Sequence, residues 1–70
     1  MRTLAQPLTV YYISPTGRET LWTRFTYLEG ETLFDHNGAA LTLVDAREIQ
    51  AGKRPWLRLQ GPLPTPREQE

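Results

Sequence analysis

The segment LTVYYISPTGRETLWTRFTYL, residues 8–28, sets the architecture, because it reads as two strands joined by a tight turn. Residues 8–13 and 20–28 are rich in β-branched and aromatic residues, and they fit alternation with a period of two better than helical spacing. Between them, Pro15 presets φ for a type I turn, and Gly17 supplies the positive φ of a bulged hairpin loop. The segment therefore predicts an antiparallel hairpin.

Weaker strand signals follow this hairpin. We expect a short third strand over residues 32–35, a type I′ turn at Asn37-Gly38, and a fourth strand over residues 39–44. Asp45 and Glu48 have the spacing of a capping box, which predicts a short helix over residues 46–51 that ends at Gly52. The alternative is a bent strand that continues through residues 47–49. Residues 56–60 form the fifth predicted strand.

The predicted fold is all-β with one short helical turn, either a small five-stranded antiparallel SH3-like barrel or a strongly bent sheet. Residues 1–61 form a single small domain. Residues 62–70 form a proline-rich tail, which we expect to be disordered or in polyproline II conformation, because proline recurs at alternate positions.

Composition narrows the classes of function. The 70 residues contain no cysteine, 8 basic and 8 acidic residues, so neither a disulfide framework nor a general polyanion binder is expected. The sequence has no apolar run of transmembrane length and no signal-peptide pattern, so we expect a cytoplasmic protein without a membrane partner. Few thermolabile residues and several loop prolines suit a heat-adapted source.

The zero net charge hides a segregation of signs along the chain. Residues 1–28 carry three arginines against one glutamate, a net of +2, and residues 29–48 carry five acidic residues against one arginine, a net of −4. Residues 49–66 carry three basic residues, +3, and residues 67–70 carry one basic against two acidic residues, −1. Such a chain can pair with copies of itself, unless neighbouring elements of opposite sign cancel at the surface.

The pattern Trp-x-Arg occurs twice, at residues 22–24 and 56–58, and it supplies the candidate binding residues. Alternation places the indole and the guanidinium of each copy on one strand face, an arrangement suited to stacking on bases and contacting phosphates. The alternative interpretation is structural, with the tryptophans closing a barrel end or stacking on arginine. The candidate binding face comprises Trp22, Arg24, Lys53, Arg54, Trp56 and Arg58.

Catalytic signals are weak. His36 is the only histidine, and it lies in the tight-turn region beside Asn37-Gly38, where exposed polar residues are normal; the acidic residues near it are Glu29, Glu31 and Asp35. The chain has no nucleophile motif and no phosphate-binding loop. We therefore predict no enzyme, no cofactor, and neither catalytic nor metal-binding residues.

Residues 10–18, VYYISPTGR, resemble the hairpin segment of methyl-CpG-binding domains, which reads VYYxSPxGK. The resemblance alone implies binding to methylated DNA. It covers only these nine residues, without the basic stretch that precedes the segment in that family or the helix that follows it. We interpret it as shared turn chemistry and transfer no binding residue from the family.

Two functions follow as expectations. The first is a non-catalytic protein-interaction module that self-associates into a homo-oligomer or binds another protein, because seven aromatic residues exceed what so small a barrel can cover. The second is a nucleic-acid-binding β-module that uses the Trp/Arg face, which the zero net charge disfavours.

Overall fold

The computed structural model describes residues 2–64 and contains, within them, five strands and one helix. The elements in chain order are β1 (Arg2–Ile13), β2 (Glu19–Glu29), β3 (Thr32–Phe34), β4 (Ala40–Thr42), α1 (Leu43–Gln50) and β5 (Leu57–Gln60).

All five strands belong to one antiparallel sheet in the order β4-β3-β2-β1-β5, curled into a half-barrel. The helix α1 contacts β4 and β5, the two edge strands of the sheet. It therefore lies across the opening of the half-barrel, where a closed barrel would instead pair its edges. This confirms the predicted fold class, a small and strongly curved β-sheet with one short helix.

The first hairpin loop is built as predicted. The Gly17 N–H donates to the Ser14 carbonyl at 2.8 Å, and the Ser14 N–H donates to the Arg18 carbonyl at 2.9 Å. Gly17 has φ of 86°, which places it in the left-handed region. The loop is thus a type I turn followed by a glycine bulge.

The predicted type I′ turn at Asn37-Gly38 is wrong. That turn needs positive φ at both residues, but only Gly38 has it, at 92°. The Gly38 N–H instead donates to the Asp35 carbonyl at 3.3 Å, and the Asp35 N–H donates to the Ala39 carbonyl at 3.1 Å. The second hairpin loop therefore repeats the type I turn and glycine bulge of the first.

The strand β1 begins at Arg2, six residues before the predicted start at residue 8. Its pairing with β2 is irregular between Thr3 and Leu8, a stretch that lies opposite only Tyr27 to Phe25. Pro7 lies in this irregular stretch, where the missing N–H of proline breaks no ladder hydrogen bond. Because Pro7 interrupts the strand pattern, alternation alone did not predict that β1 extends upstream of residue 8.

The helix begins earlier than the capping box at Asp45 predicted. Thr42 is the N-cap, and its hydroxyl accepts from the Asp45 N–H at 3.1 Å. The end agrees with prediction, because the Gly52 N–H donates to Ile49 and the Lys53 N–H to Glu48, a Schellman pattern. The alternative of a bent strand through residues 47–49 is wrong.

The core fills the concave side of the sheet beneath α1. Three leucines form one row across β2, β3 and β4, since Leu28 pairs with Leu33 and Leu33 with Leu41. The helix buries Leu43, Ala46 and Ile49, which share one helical face. The bulkiest fully buried side chains are those of Leu8, Val10, Phe25, Leu33 and Leu43.

Beyond β5, the chain remains in contact with the domain. Leu63 packs against the core, while residues 65–70 of the predicted tail lie outside the described part of the chain. Within residues 2–64, the single helix α1 is too short and too polar to cross a membrane.

Candidate functional site

Alternation predicted that Trp22 and Arg24 share one exposed strand face, but in the structure they do not. The register between β1 and β2 shifts at this point, because Val10 pairs with Thr23 and Tyr11 with Leu21, which leaves Trp22 as an extra residue. Its indole packs edge-on against the core residue Phe25, with ring centroids 5.6 Å apart, and against Tyr12 at the same distance. The bulge thus turns Trp22 toward the concave, core-lined side of the sheet.

Arg24 and Arg58 lie on the opposite, convex side. Arg24 pairs with Thr9 and Arg58 with Tyr11, so the strand β1 separates the two guanidinium groups. The Arg58 guanidinium donates to the carboxylate of Glu19 on β2. The structure therefore brings two predicted arginines onto one face but partly neutralises one of them.

Arg54 and Lys53 follow the helix. The Arg54 guanidinium binds Glu48 at 2.8 Å and Asp45 at 3.2 Å, and the hydrogen bond to Glu48 raises the pKa of Arg54. Arg54 thus connects α1 to the segment that leads into β5. The Lys53 side chain is exposed and has no ion-pair partner among residues 2–64.

Trp56 is the exposed indole of the predicted face. It lies just before β5, where its carbonyl accepts from the Ile13 N–H at 2.8 Å, and 53% of the residue is exposed. The indole borders a groove of about 320 Å³ beside the first hairpin loop, lined by Ile13, Ser14, Pro15, Pro55 and Trp56. The two predicted tryptophans therefore lie in different environments and do not form one stacking surface.

A second groove, which the sequence did not predict, runs along β2. The strand β3 pairs only with Tyr27, Leu28 and Glu29, so no strand among residues 2–64 pairs with the earlier part of β2 on that side. The second hairpin loop flanks this unpaired edge and leaves a space of about 480 Å³. We call this space the β2 groove; it is lined by Leu21, Trp22, Thr23, Arg24, Thr26, His36 and Asn37.

Asp35 holds the loop that forms one wall of the β2 groove. Its buried carboxylate accepts from the Thr23 hydroxyl and from the N–H groups of Asn37 and Ala39, at 2.9 and 2.7 Å. The hydrogen bond from Thr23 is the main cause that lowers the pKa of Asp35, and the two backbone donors add to it. Aspartate at the first position of a type I turn was the sequence signal for this role.

The acidic and basic segments of the chain meet in the folded domain. Arg58 pairs with Glu19 across the sheet, and Arg54 pairs with two acidic residues of α1. Within residues 2–64, no group of three or more metal-ligating side chains is placed to hold an ion. The Arg54 contacts thus neutralise part of the charge difference between residues 29–48 and 49–66, whereas Arg58 and Glu19 both belong to segments of net positive charge.

Comparison of the chain with models of protein families, with curated proteins and with solved structures finds no match.

Proposed function

We propose that this protein is a non-catalytic protein-interaction module that associates with a second copy of itself through the β2 groove. The observation that supports this proposal is the position of Leu21, which is 55% exposed and lies in the part of β2 that pairs with β1 on one side and with no strand of residues 2–64 on the other. An apolar side chain beside an unpaired strand edge is a template for association.

The β2 groove has apolar side chains from both faces of the sheet. Leu21 lines it from the convex side, whereas Trp22, which is half-buried and contacts the 46% exposed Tyr12, lines it from the concave side. Soluble domains seldom leave aromatic and aliphatic side chains together in solvent without a partner that covers them. A second copy would extend a core that is necessarily small in a chain of 70 residues.

Overall charge permits self-association. The chain has a formal net charge of zero, so two copies carry no net repulsion at neutral pH. Arg24 is exposed on the convex side beside the groove and has no ion-pair partner within residues 2–64, which leaves it available to a carboxylate of another chain.

Sedimentation equilibrium from low to high micromolar concentration tests the proposal. We expect a reversible dimer, and Leu21→Asn should weaken it by about tenfold or more, because an apolar anchor is lost. Val44→Asn is the matched control, since Val44 is 54% exposed but lies on α1, away from the β2 groove. A monomer at every concentration would contradict self-association, and equal effects of the two substitutions would contradict the assignment to this groove.

Nucleic-acid binding remains the alternative function, with less support from the geometry. Exposed Trp56 could stack on a base, but Arg54 and Arg58 are engaged by carboxylates and Trp22 packs on Phe25. Titration of single-stranded oligonucleotides at low salt would quench the fluorescence of Trp56 if this function were correct, and Trp56→Phe would abolish that quenching. An unchanged signal at low salt would exclude the alternative.

A further inference from the structure

We propose that two copies join by antiparallel pairing of their β2 edges, so that two half-barrels share one continuous sheet. This inference rests on the proposed self-association and specifies how the partner is held. Its interface is the β2 edge of residues 19–26, which has no neighbouring strand within residues 2–64 on the side away from β1.

The hydrogen bonds of β1 show which backbone groups of this edge are available. The Ile13 N–H donates to Trp56 on the β5 side, and Ile13 lies opposite Glu19 of β2. In an antiparallel ladder, the 13–19 pair is therefore not hydrogen-bonded, and the backbone groups of Glu19 point away from β1. Alternation gives Leu21 the same orientation, so both residues present an N–H and a carbonyl to an incoming strand.

The bulge at Trp22 selects the register of the pairing. Thr23 lies opposite buried Val10, and Trp22 packs on Phe25, so two consecutive residues of β2 face the concave side. A two-fold axis between Trp22 and Thr23 then sets concave residues against concave residues. In this register Trp22 lies opposite the partner's Thr23, and Leu21 lies opposite the partner's Arg24.

Charge supports the antiparallel direction. Glu19 and Arg24 both lie on the convex side, near opposite ends of the free stretch, since they pair with Ile13 and Thr9. Antiparallel pairing brings each Arg24 diagonal to the partner's Glu19, within the reach of long side chains. Glu19 uses one carboxylate oxygen for Arg58, and its second oxygen can accept from the partner's Arg24.

The β2 groove provides the space for the incoming strand. Backbone pairing between β3 and β2 ends at Phe34, and beyond it the second hairpin loop contacts β2 through the Asp35 carboxylate, which accepts from the Thr23 hydroxyl; His36 and Asn37 line the far wall of a space of about 480 Å³. A strand added to a sheet edge lies about 4.8 Å from its neighbour, so the partner's residues 19–21 would enter this space beside Arg24.

A charge-exchange experiment tests the pairing. Glu19→Arg and Arg24→Glu should each dimerise about tenfold more weakly than wild type, because like charges then meet twice across the two-fold axis. An equimolar mixture of the two variants should recover wild-type affinity as a heterodimer. Arg58→Gln, which frees Glu19 within one chain but leaves the edge intact, is the control and should dimerise like wild type. A mixture that gains no affinity would overturn the proposed pairing.

A backbone substitution provides an independent test. Leu21→Pro removes an N–H that points to the free edge, whereas Leu21→Val keeps the N–H and an apolar side chain that suits a strand. We expect a folded monomer from the first variant and a dimer from the second, with the Glu19 and Leu21 amides protected from hydrogen exchange only in the dimer. A wild-type dimer in which both amides exchange freely would overturn edge pairing and leave self-association intact, and a wild-type monomer would overturn both.

Discussion

Asp35 connects the second hairpin loop to the sheet through three donors. Its carboxylate lies at the first position of the turn and also accepts from Thr23 on β2, so one side chain determines both the loop and one wall of the β2 groove. Because hydrogen bonds to the ionised form lower its pKa, folding and the ionisation of Asp35 are coupled.

This coupling predicts a pH dependence of stability. A carboxyl group with a lowered pKa in the folded state stabilises the fold above its unfolded pKa of about 3.9, and that stabilisation is lost as pH falls below this value. Asp35→Asn should lower the thermal midpoint at pH 7 and flatten the loss of stability below about pH 4. Thermal unfolding followed by circular dichroism between pH 2 and 7 measures this; an unchanged acid limb in the variant would contradict the assignment.

Thr42 is the N-cap of α1, whereas the sequence predicted a capping box that starts at Asp45. Thr42-Leu43-Val44-Asp45 has a hydroxyl residue followed by an acidic residue at the third position, which is itself a signal for a helix start. Asp45-Ala46-Arg47-Glu48 carries an equivalent signal three residues later, and local sequence does not rank the two.

Removal of the cap distinguishes the two starts. Thr42→Ala should lower the free energy of unfolding by about 1 kcal/mol, because the Asp45 N–H loses its acceptor. Asp45→Ala should cost less, since Asp45 contributes a partly exposed ion pair with Arg54 and not the cap. Urea unfolding of both variants measures which substitution lowers the free energy of unfolding more. A larger decrease from the Asp45 substitution would favour the helix start predicted from sequence.

The two hairpin loops are equivalent elements built from different residues. Ser14 and Asp35 occupy the same position, and each side chain accepts from the N–H four residues on, Arg18 in the first loop and Ala39 in the second. This equivalence appears only in the hydrogen bonds, since Asn37-Gly38 alone is equally compatible with a tighter turn.

The equivalence predicts that proline can be transferred between the loops. His36 occupies the position of Pro15, where a type I turn favours proline, and its N–H donates to no backbone carbonyl among residues 2–64. His36→Pro should therefore raise the free energy of unfolding by about 0.4–1 kcal/mol through the entropy of the unfolded chain. Chemical denaturation measures the change, and a marked destabilisation would show that the second loop is not a type I turn.

Alternation predicts the strand β2 but not which face each of its side chains occupies. The bulge at Trp22 shifts the alternation by one residue, so side chains before and after it exchange faces relative to the simple pattern. Uninterrupted alternation predicts one shared face for Trp22 and Arg24, but the bulge places them on opposite sides of the sheet. The same bulge places Glu19, Leu21 and Arg24 on one side, which supports the proposed pairing.

The whole domain depends on a small number of large buried side chains. A chain of 70 residues has a stability of about 3–10 kcal/mol, and Phe25, which is fully buried and packs against Trp22, is among its largest core side chains.

Phe25→Ala should lower the free energy of unfolding by about 3–5 kcal/mol, a large part of this total, and leave a substantial unfolded population at room temperature. Leu57→Ala, at a half-buried position on the edge strand β5, is the control and should cost clearly less. Near-ultraviolet circular dichroism with urea unfolding measures both, and equal losses would contradict the central place of Phe25.

Local sequence was sufficient for the properties that depend on neighbouring residues. Strand composition, the first turn, the glycine that ends α1 and the all-β class follow from φ preferences and side-chain periodicity, which act over a few residues. The irregular pairing at Pro7, the bulge at Trp22 and the free edge of β2 depend instead on which strands pair and in what register. Register is set by contacts between residues far apart in the chain, such as Leu28 with Leu33 and Leu41, because these leucines must be buried together. The exposed surface that supports the proposed function is what this packing leaves uncovered, so only the folded chain reveals it.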